Sequence, residues 1–246
     1  FIFDWYWYDR MPFLEGHLNE GYLKARNNDR VKFYLMWANH DVKMTWDKRN
    51  AGKPNDQIIW DAVCYNAPLA TEFAATQFKS LQSGSQVHPD ILRSVMGVGA
   101  RLGDDQTFEW LIDRTQKAES EHERQVVLAA LGGFQKQSAL EKTLNYVLEK
   151  VPPRNKFIPV AAMGANLTAA STMWDWYTGR IEEIEKFHPM IYERIVAAII
   201  PATGIKKPGE VQAFFEDYMA RTNKAGDVIR LSLEKLKINL QMRENA

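Results

Sequence analysis

The sequence has 246 residues, which is enough for one large domain or two small ones with a well-buried core. Lysine plus arginine and aspartate plus glutamate number 31 each, so no net field attracts nucleic acid or an anionic membrane. The single cysteine, Cys64, excludes an internal disulfide and a thiolate metal cage. No apolar stretch reaches the roughly 20 residues that span a bilayer, and the first residues lack the pattern of a signal peptide. We therefore expect a cytoplasmic protein without nucleic-acid or membrane partners.

The first 63 residues differ in composition from the rest, because aromatic residues are concentrated in residues 1–60. The stretch FIFDWYWY is rich in strand-forming residues, and VKFYLMWAN at 31–39 repeats this character. The stretch between them, EGHLNEGYLKAR, is typical of a helix. This order predicts a β-α-β fragment over residues 1–63, whose sheet needs further units to cover it. Since the chain begins at Phe1 inside a predicted strand, we expect it to be a piece of a longer product.

From about residue 64 the pattern changes to one amphipathic helix after another. Gly103 is predicted to end one helix in a left-handed turn, Asp104 to cap the next, and His188-Pro189 to begin another. The predicted helices cover residues 67–82, 89–102, 105–118, 120–133, 136–149, 155–165, 170–186, 189–200, 208–221 and 224–243. Such helices joined by short loops predict a mainly α protein: a HEAT- or armadillo-like α-solenoid of antiparallel helix pairs over residues 64–246.

Motifs of the N-terminal segment carry a first resemblance. FDWYWY, PFLE and FYLMWANHD followed by TWD resemble the N-terminal part of WbsX-like proteins, which are related to family 99 glycoside hydrolases. Over residues 1–63 the resemblance implies the first strands of a (β/α)8 barrel, whose strand ends face the active site. It implies sugar binding through Trp7, Trp37, Asn39 and Asp41. Burial of the aromatic residues in a strand stays open as the alternative, and the later strands that would supply paired carboxylates are absent.

Motifs of the helical segment carry a second resemblance. HPDILRSV, ERQVVLAALGGFQ, the run from Asn166 to WDW, IPATGIKKPGEVQAFFED and LSLEKLKINLQMREN resemble, in this order, the C-terminal helical domain of zinc aminopeptidases of the aminopeptidase N type. Over residues 64–246 the resemblance implies a HEAT-like superhelix that closes over a catalytic domain and walls a peptide chamber. The partners it implies are a peptide substrate or a catalytic domain supplied elsewhere.

The zinc site of that family needs the motif H-E-x-x-H, which puts two imidazoles on one face of a helix. Here His122-Glu123 is followed by Val126 where the second histidine would stand. We therefore expect no catalytic residue, metal ligand or cofactor in this chain, and zinc is implied only for a catalytic domain that it lacks. Whether the chain belongs to an active enzyme stays open, and alone we expect it to be inactive.

One cationic turn is the candidate binding site of the helical segment. Arg154, Asn155 and Lys156 follow Pro152-Pro153 at the start of a predicted helix. The second resemblance places this region near the substrate chamber, so the fork of Arg154 is a candidate to hold a peptide carboxylate. A solvated cationic turn is the alternative.

Two further motifs have a structural and a functional interpretation. Gly97 and Gly99 could belong to a phosphate-binding loop, but no strand precedes them, so close helix packing is favoured. Asn166-Leu167-Thr168 matches a glycosylation sequon, although Thr168 serves equally as a helix cap.

Three hypotheses follow for the function. The chain is a non-catalytic helical module of an aminopeptidase-type protein, or a carbohydrate-active protein through residues 1–63, or an artificial or misassembled join near Val63-Cys64 without a function as a whole.

Overall fold

The computed structural model describes residues 68–244 together with Ile59 and Val63. Every regular element of these described residues is helical, so the prediction of a mainly α protein is confirmed. The predicted β-α-β fragment lies outside the described residues, apart from Ile59 and Val63. The chain divides into two compact units, Phe1–Val98 and Gly99–Ala246. The predicted domain boundary after residue 63 stays a prediction.

The helices follow the predicted order. In the first unit α1 is Pro68–Gln82, and a 3-10 turn at Pro89–Ile91 leads into α2, Leu92–Leu102; the boundary between the units, after Val98, falls within the residue range of α2. The helices of the second unit are α3 (Asp105–Lys117), α4 (Glu121–Ala130), α5 (Gln137–Glu149), α6 (Phe157–Met163), α7 (Ala170–Gly179), α8 (Ile181–Ile184), α9 (Pro189–Gly204), α10 (Pro208–Arg221) and α11 (Gly226–Glu244). Two more 3-10 turns, Leu131–Gly133 and Pro153–Asn155, follow α4 and precede α6.

Local signals explain where several helices begin and end. After α1, the N–H of Ser85 donates to the carbonyl of Ser80 and that of Gly84 to Leu81, with Gly84 at a φ of 90°. This Schellman-type ending needs the left-handed backbone that glycine adopts without strain. Asp104 caps α3 as predicted, because its carboxylate accepts from the N–H of Thr107 at 3.1 Å.

The predicted left-handed turn at Gly103 is wrong, because its φ is not positive. A Cβ at this position would lie 2.6 Å from the Thr107 methyl and 2.7 Å from the Gly99 carbonyl oxygen. The glycine therefore serves close packing rather than an unusual backbone conformation. Gly97 and Gly99 are buried inside α2, which agrees with the packing interpretation of these two residues.

Most helix ends differ from the predicted ranges by up to three residues, and two helices differ in other ways. The segment predicted as one helix over 170–186 is interrupted at Arg180, whose φ and ψ are −127° and 16°. The helix predicted to end at residue 200 continues through Pro201 to Gly204. Ala202, Thr203 and Gly204 are buried, and the Thr203 hydroxyl donates to the Ile199 carbonyl at 2.8 Å. Packing and this hydrogen bond offset the roughly 3 kcal/mol that a proline costs inside a helix.

The second unit consists of two layers of helices. One layer contains α4, α6, α9 and α11, which contact one another in this order; we call it the inner layer. The other layer contains α3, α5, α7 and α10. Lys142 of α5 pairs with Asp105 of α3, α5 contacts α7, and Trp174 of α7 packs on Phe215 of α10. Pairs of helices stacked on neighbouring pairs make a HEAT-like solenoid, as predicted.

Small residues let the helices of the inner layer approach closely. A Cβ on Gly132, just after α4, would lie 2.7 Å from the Ala162 Cβ of α6. A Cβ on Gly204 of α9 would lie 2.2 Å from a methyl of Leu236 in α11. No side chain other than hydrogen fits at these two contacts without displacement.

A chain of buried tyrosines joins α7, α9 and α10. The hydroxyls of Tyr177 and Tyr192 lie 3.0 Å apart, Tyr192 donates to Tyr218 at 2.9 Å, and Tyr218 donates to the Glu185 carboxylate at 2.5 Å. Burial raises the pKa of all three tyrosines, so their hydroxyls stay protonated. The Lys224 ammonium donates to the Glu185 carbonyl and lies 4.8 Å from the Tyr192 ring. Because each hydroxyl has a partner, the chain fixes the relative positions of three helices.

Candidate functional site

The cationic turn predicted from the sequence is a 3-10 turn, Pro153–Asn155, that precedes α6. The Arg154 side chain is 71% exposed, and its Nη2 atom donates to the Glu121 Oε2 atom at 2.8 Å. Part of the guanidinium is therefore engaged by the protein, while most of the side chain faces solvent.

The structure places Asn155 and Lys156 in different surroundings. Asn155 is 2% exposed, and its amide donates to the Glu121 Oε1 atom at 2.8 Å. Lys156 is buried, and its ammonium donates to the carbonyls of Val147 and Leu148 at 2.6 and 2.5 Å, where α5 ends. Burial lowers the pKa of Lys156. Arg154 and Asn155 thus meet on one carboxylate, whereas Lys156 caps the carboxyl end of α5.

Glu121 is the residue that sequence reasoning missed. It is the first residue of α4, and Ser120 caps this helix by accepting from the N–H of Glu123 at 3.1 Å. Arg124, one turn along α4, donates to the Glu121 Oε2 atom at 2.8 Å. The Asn155 hydrogen bond and the positive charge of Arg154 lower the pKa of Glu121 and keep it ionised near neutral pH. The local sequence shows only the pairing with Arg124, because Arg154 and Asn155 lie more than 30 residues away along the chain.

A second exposed arginine lies on the same layer of helices. The Arg194 guanidinium of α9 lies 4.4 Å from the centre of the Phe157 ring at the start of α6. Phe157 is half-buried and Arg194 is exposed, which is the usual arrangement of a surface cation–π contact. Ala161 and Ala197, on the same two helices, are exposed as well. The exposed residues of α6 and α9 therefore combine small side chains with the cation of Arg194, and the exposed Arg154 lies in the turn that precedes α6.

The sequon asparagine is held by four hydrogen bonds. The Asn166 amide donates to the carbonyls of Gly132 and Phe134 at 3.1 and 2.7 Å. Its oxygen accepts from the N–H of Thr168 and from the amide of Gln135. The side chain thus ties the loop before α7 to the turn after α4, which supports a structural role.

Metal and membrane features give little further indication of function. No group of three or more histidine, cysteine, aspartate or glutamate residues in the described part of the chain is arranged to hold a metal ion. None of the helices among residues 68–244 is long and apolar enough to cross a membrane. The sugar-site candidates Trp7, Trp37, Asn39 and Asp41 lie outside the described residues, so that site stays a prediction.

Comparison with known families resolves the origin of this helical architecture. The sequence model of the ERAP1-like C-terminal domain family matches residues 36–238. The chain belongs to this family. The assignment agrees with the helical layers of residues 99–244 and confirms the resemblance to the C-terminal domain of aminopeptidases. The match begins at residue 36, within the segment that resembles a WbsX-like barrel. The family match does not support the resemblance of residues 1–63 to WbsX-like proteins, which stays a prediction.

Curated aminopeptidases are similar to this member of the ERAP1-like C-terminal domain family. Aminopeptidase 2 of Candida albicans is 24% identical over 165 residues, which is 65% of this chain and 18% of the relative. Alanine/arginine aminopeptidase of Saccharomyces cerevisiae is 28% identical over 132 residues, 52% of this chain and 15% of the relative. Puromycin-sensitive aminopeptidase of Caenorhabditis elegans is 22% identical over 192 residues, 72% of this chain and 20% of the relative. The matched part thus spans about a fifth or less of each relative.

Proposed function

We propose that this chain is a non-catalytic helical C-terminal module of an aminopeptidase-type protein and walls a chamber for peptides. Membership of the ERAP1-like C-terminal domain family supports the module, and the names of the relatives support peptides as the substrate class. Catalysis and its zinc belong to a catalytic domain that this module contacts. This chain lacks the H-E-x-x-H motif for zinc, and we assign it no catalytic residue.

The inner layer is the side of the module that we assign to the chamber. A solenoid curves toward the layer whose helices lie closer together, and concave solenoid surfaces are the usual binding surfaces. The close contacts at Gly132 and Gly204 belong to this layer. Its exposed alanines, such as Ala161 and Ala197, leave space for a peptide backbone to pass.

The exposed guanidinium of Arg154 is the observation that carries the peptide-binding part of the proposal. A guanidinium presents donors in a fixed fork that matches a carboxylate, so Arg154 suits the C-terminal carboxylate of a peptide. Asn155 and Lys156 support the turn: Asn155 holds Glu121 and Lys156 holds the end of α5. Of the three predicted binding residues, only Arg154 has a side chain that faces solvent, so we assign the contact with the peptide to it.

The test compares two peptides that differ in one group. A fluorescein-labelled alanine-rich peptide with a free C-terminal carboxylate, and the same peptide with a C-terminal amide, are titrated with the full chain by fluorescence anisotropy. An exposed arginine–carboxylate pair contributes up to about 1 kcal/mol, so we expect Arg154→Ala to weaken binding of the carboxylate peptide roughly two- to five-fold. Binding of the amide peptide should not change.

Arg221→Ala is the matched control. The Arg221 side chain is 64% exposed and pairs with a single carboxylate, that of Asp217, at 2.9 Å. Equal binding of both peptides by the unaltered chain, or an equal effect of Arg154→Ala and Arg221→Ala, would contradict the proposed site.

A further inference from the structure

The Glu121 carboxylate is shared by donors from two parts of the second unit. Its Oε2 atom accepts from Arg124 and from Arg154, each at 2.8 Å, and its Oε1 atom accepts from Asn155 at 2.8 Å. Gln125 lies at the limit of a hydrogen bond, 3.5 Å from Oε1. Two guanidinium groups therefore point at one carboxylate oxygen, an arrangement that suits a small anion.

The donors differ in how firmly the fold holds them. Asn155 is 2% exposed, so removing its acceptor would leave a buried amide without a partner. Arg124 lies one helical turn from Glu121 on α4, and its side chain is 29% exposed. Arg154 comes from a separate turn and is 71% exposed. Of these donors, Arg154 leaves Glu121 at the smallest cost in free energy, because water can take the place of the carboxylate at its exposed guanidinium.

Glu121 and a peptide end present the same chemical group to Arg154. A C-terminal carboxylate has the charge and the planar shape of the Glu121 carboxylate, and both are matched by the guanidinium fork. A peptide that approaches Arg154 thus meets a donor that an internal carboxylate already occupies.

We infer that Glu121 is an internal competitor for the peptide carboxylate: Arg154 exchanges the Glu121 carboxylate for that of the peptide, while Arg124 and Asn155 keep Glu121 in place. The inference rests on the proposed function and adds a regulating residue to the same site. Glu121 thereby sets how tightly a free peptide end is held, and an amidated end does not enter the exchange.

The test is Glu121→Gln in the full chain, with the same pair of carboxylate and amide peptides. Glutamine keeps the size of the side chain and an oxygen for Asn155, but it removes the charge. An exposed ion pair contributes up to about 1 kcal/mol, so we expect binding of the carboxylate peptide to tighten roughly two- to five-fold. The amide peptide should bind as before, and Glu121→Gln combined with Arg154→Ala should bind like Arg154→Ala alone.

Glu183→Gln is the matched control, because Glu183 also pairs with an arginine at 2.8 Å, Arg180, on an exposed helical surface. It should leave binding unchanged. Glu121→Asp retains the charge but withdraws it by one methylene group, and it should tighten binding by a smaller factor. This second variant provides the test where circular dichroism shows that Glu121→Gln does not fold.

The possible results separate the two claims. If Arg154→Ala weakens carboxylate binding while Glu121→Gln leaves it unchanged or weakens it, the competition is refuted and the peptide site stands. If Arg154→Ala has no effect, the peptide site is refuted and the competition with it. Tightening by Glu121→Gln that depends on both Arg154 and the free carboxylate would establish the competition.

Discussion

Replacement of Gly132 by alanine tests the close contact between the turn after α4 and helix α6. The added Cβ would lie 2.7 Å from the Met163 nitrogen and 2.8 Å from the Pro159 oxygen, both of which are backbone atoms. It would also lie 2.7 Å from the Ala162 Cβ. Carbon atoms normally approach other atoms to about 3.5–4.0 Å. Rotation of a side chain cannot relieve this overlap, so α6 must move away by roughly 1 Å.

The displacement of α6 determines how much Gly132→Ala lowers the free energy of unfolding. Inserting a methyl group into a well-packed interior costs about 1–3 kcal/mol, and the reduced freedom of the unfolded chain returns up to about 1 kcal/mol. We expect the free energy of unfolding to fall by about 2 kcal/mol, which lowers the Tm of a domain of this size by about 4–8 °C. Thermal unfolding followed by far-UV circular dichroism measures the shift.

Gly209→Ala is the control for this substitution. Gly209 lies in the first turn of α10, and a Cβ there would meet no atom within 4 Å. We expect its Tm to stay unchanged or to rise slightly, because alanine favours the helix. A Gly132→Ala variant as stable as Gly209→Ala would refute the argument that a close backbone contact requires this glycine.

Three further predictions concern the tyrosine chain, acid stability and the N-terminal segment. Tyr192→Phe removes the hydroxyl between two other buried tyrosines and should lower the free energy of unfolding, measured with urea, by about 1–3 kcal/mol. Tyr146→Phe is the control and should lower it little, because the Tyr146 hydroxyl has no hydrogen-bond partner in the described part of the chain. The Trp174 N–H donates to Glu210 at 2.5 Å and lowers the pKa of this carboxyl below its ordinary 4.5. The stability that this hydrogen bond adds is present above pH 4.5 and is lost as the pH falls through the folded-state pKa. Urea unfolding at a series of pH values should therefore show that Glu210→Gln has a lower free energy of unfolding than the unaltered chain near neutral pH, and that this difference disappears in acid. The sugar-site prediction for residues 1–63 requires the full chain to bind a member of a manno- or rhamno-oligosaccharide panel, and binding to none would reject it.

The helices of residues 68–244 could be predicted because most of their boundaries are set by local chemistry. Asp104 caps α3 and Pro189 occupies the first turn of α9, so the signal and the structure lie within a few residues of each other. The continuation of α9 past Pro201 could not be predicted, because it depends on packing against α11. A proline taken alone indicates a helix end, and only the folded neighbours outweigh its cost.

The candidate site could be predicted only in part, for a related reason. An exposed arginine after two prolines is visible in the sequence, and Arg154 proved to be exposed. The Glu121 carboxylate that engages it lies in another helix pair, so the contact exists only after the pairs have stacked. The capping role of Lys156 had a usable signal, since a lysine a few residues beyond a predicted helix often binds its last carbonyls.

The layered arrangement of the second unit means that its stability is distributed along a line of neighbours and not gathered at one centre. Helix α11 rests on α9 and α10, and α9 in turn rests on α6. A perturbation in α11 should therefore affect α9 strongly and α4 only weakly, because each helix is coupled mainly to its nearest neighbours. Amide hydrogen exchange of a variant destabilised in α11 should therefore show the largest loss of protection in α9 and the smallest in α4. Loosening of α11 should disturb the turn that carries Arg154 less than it disturbs α9.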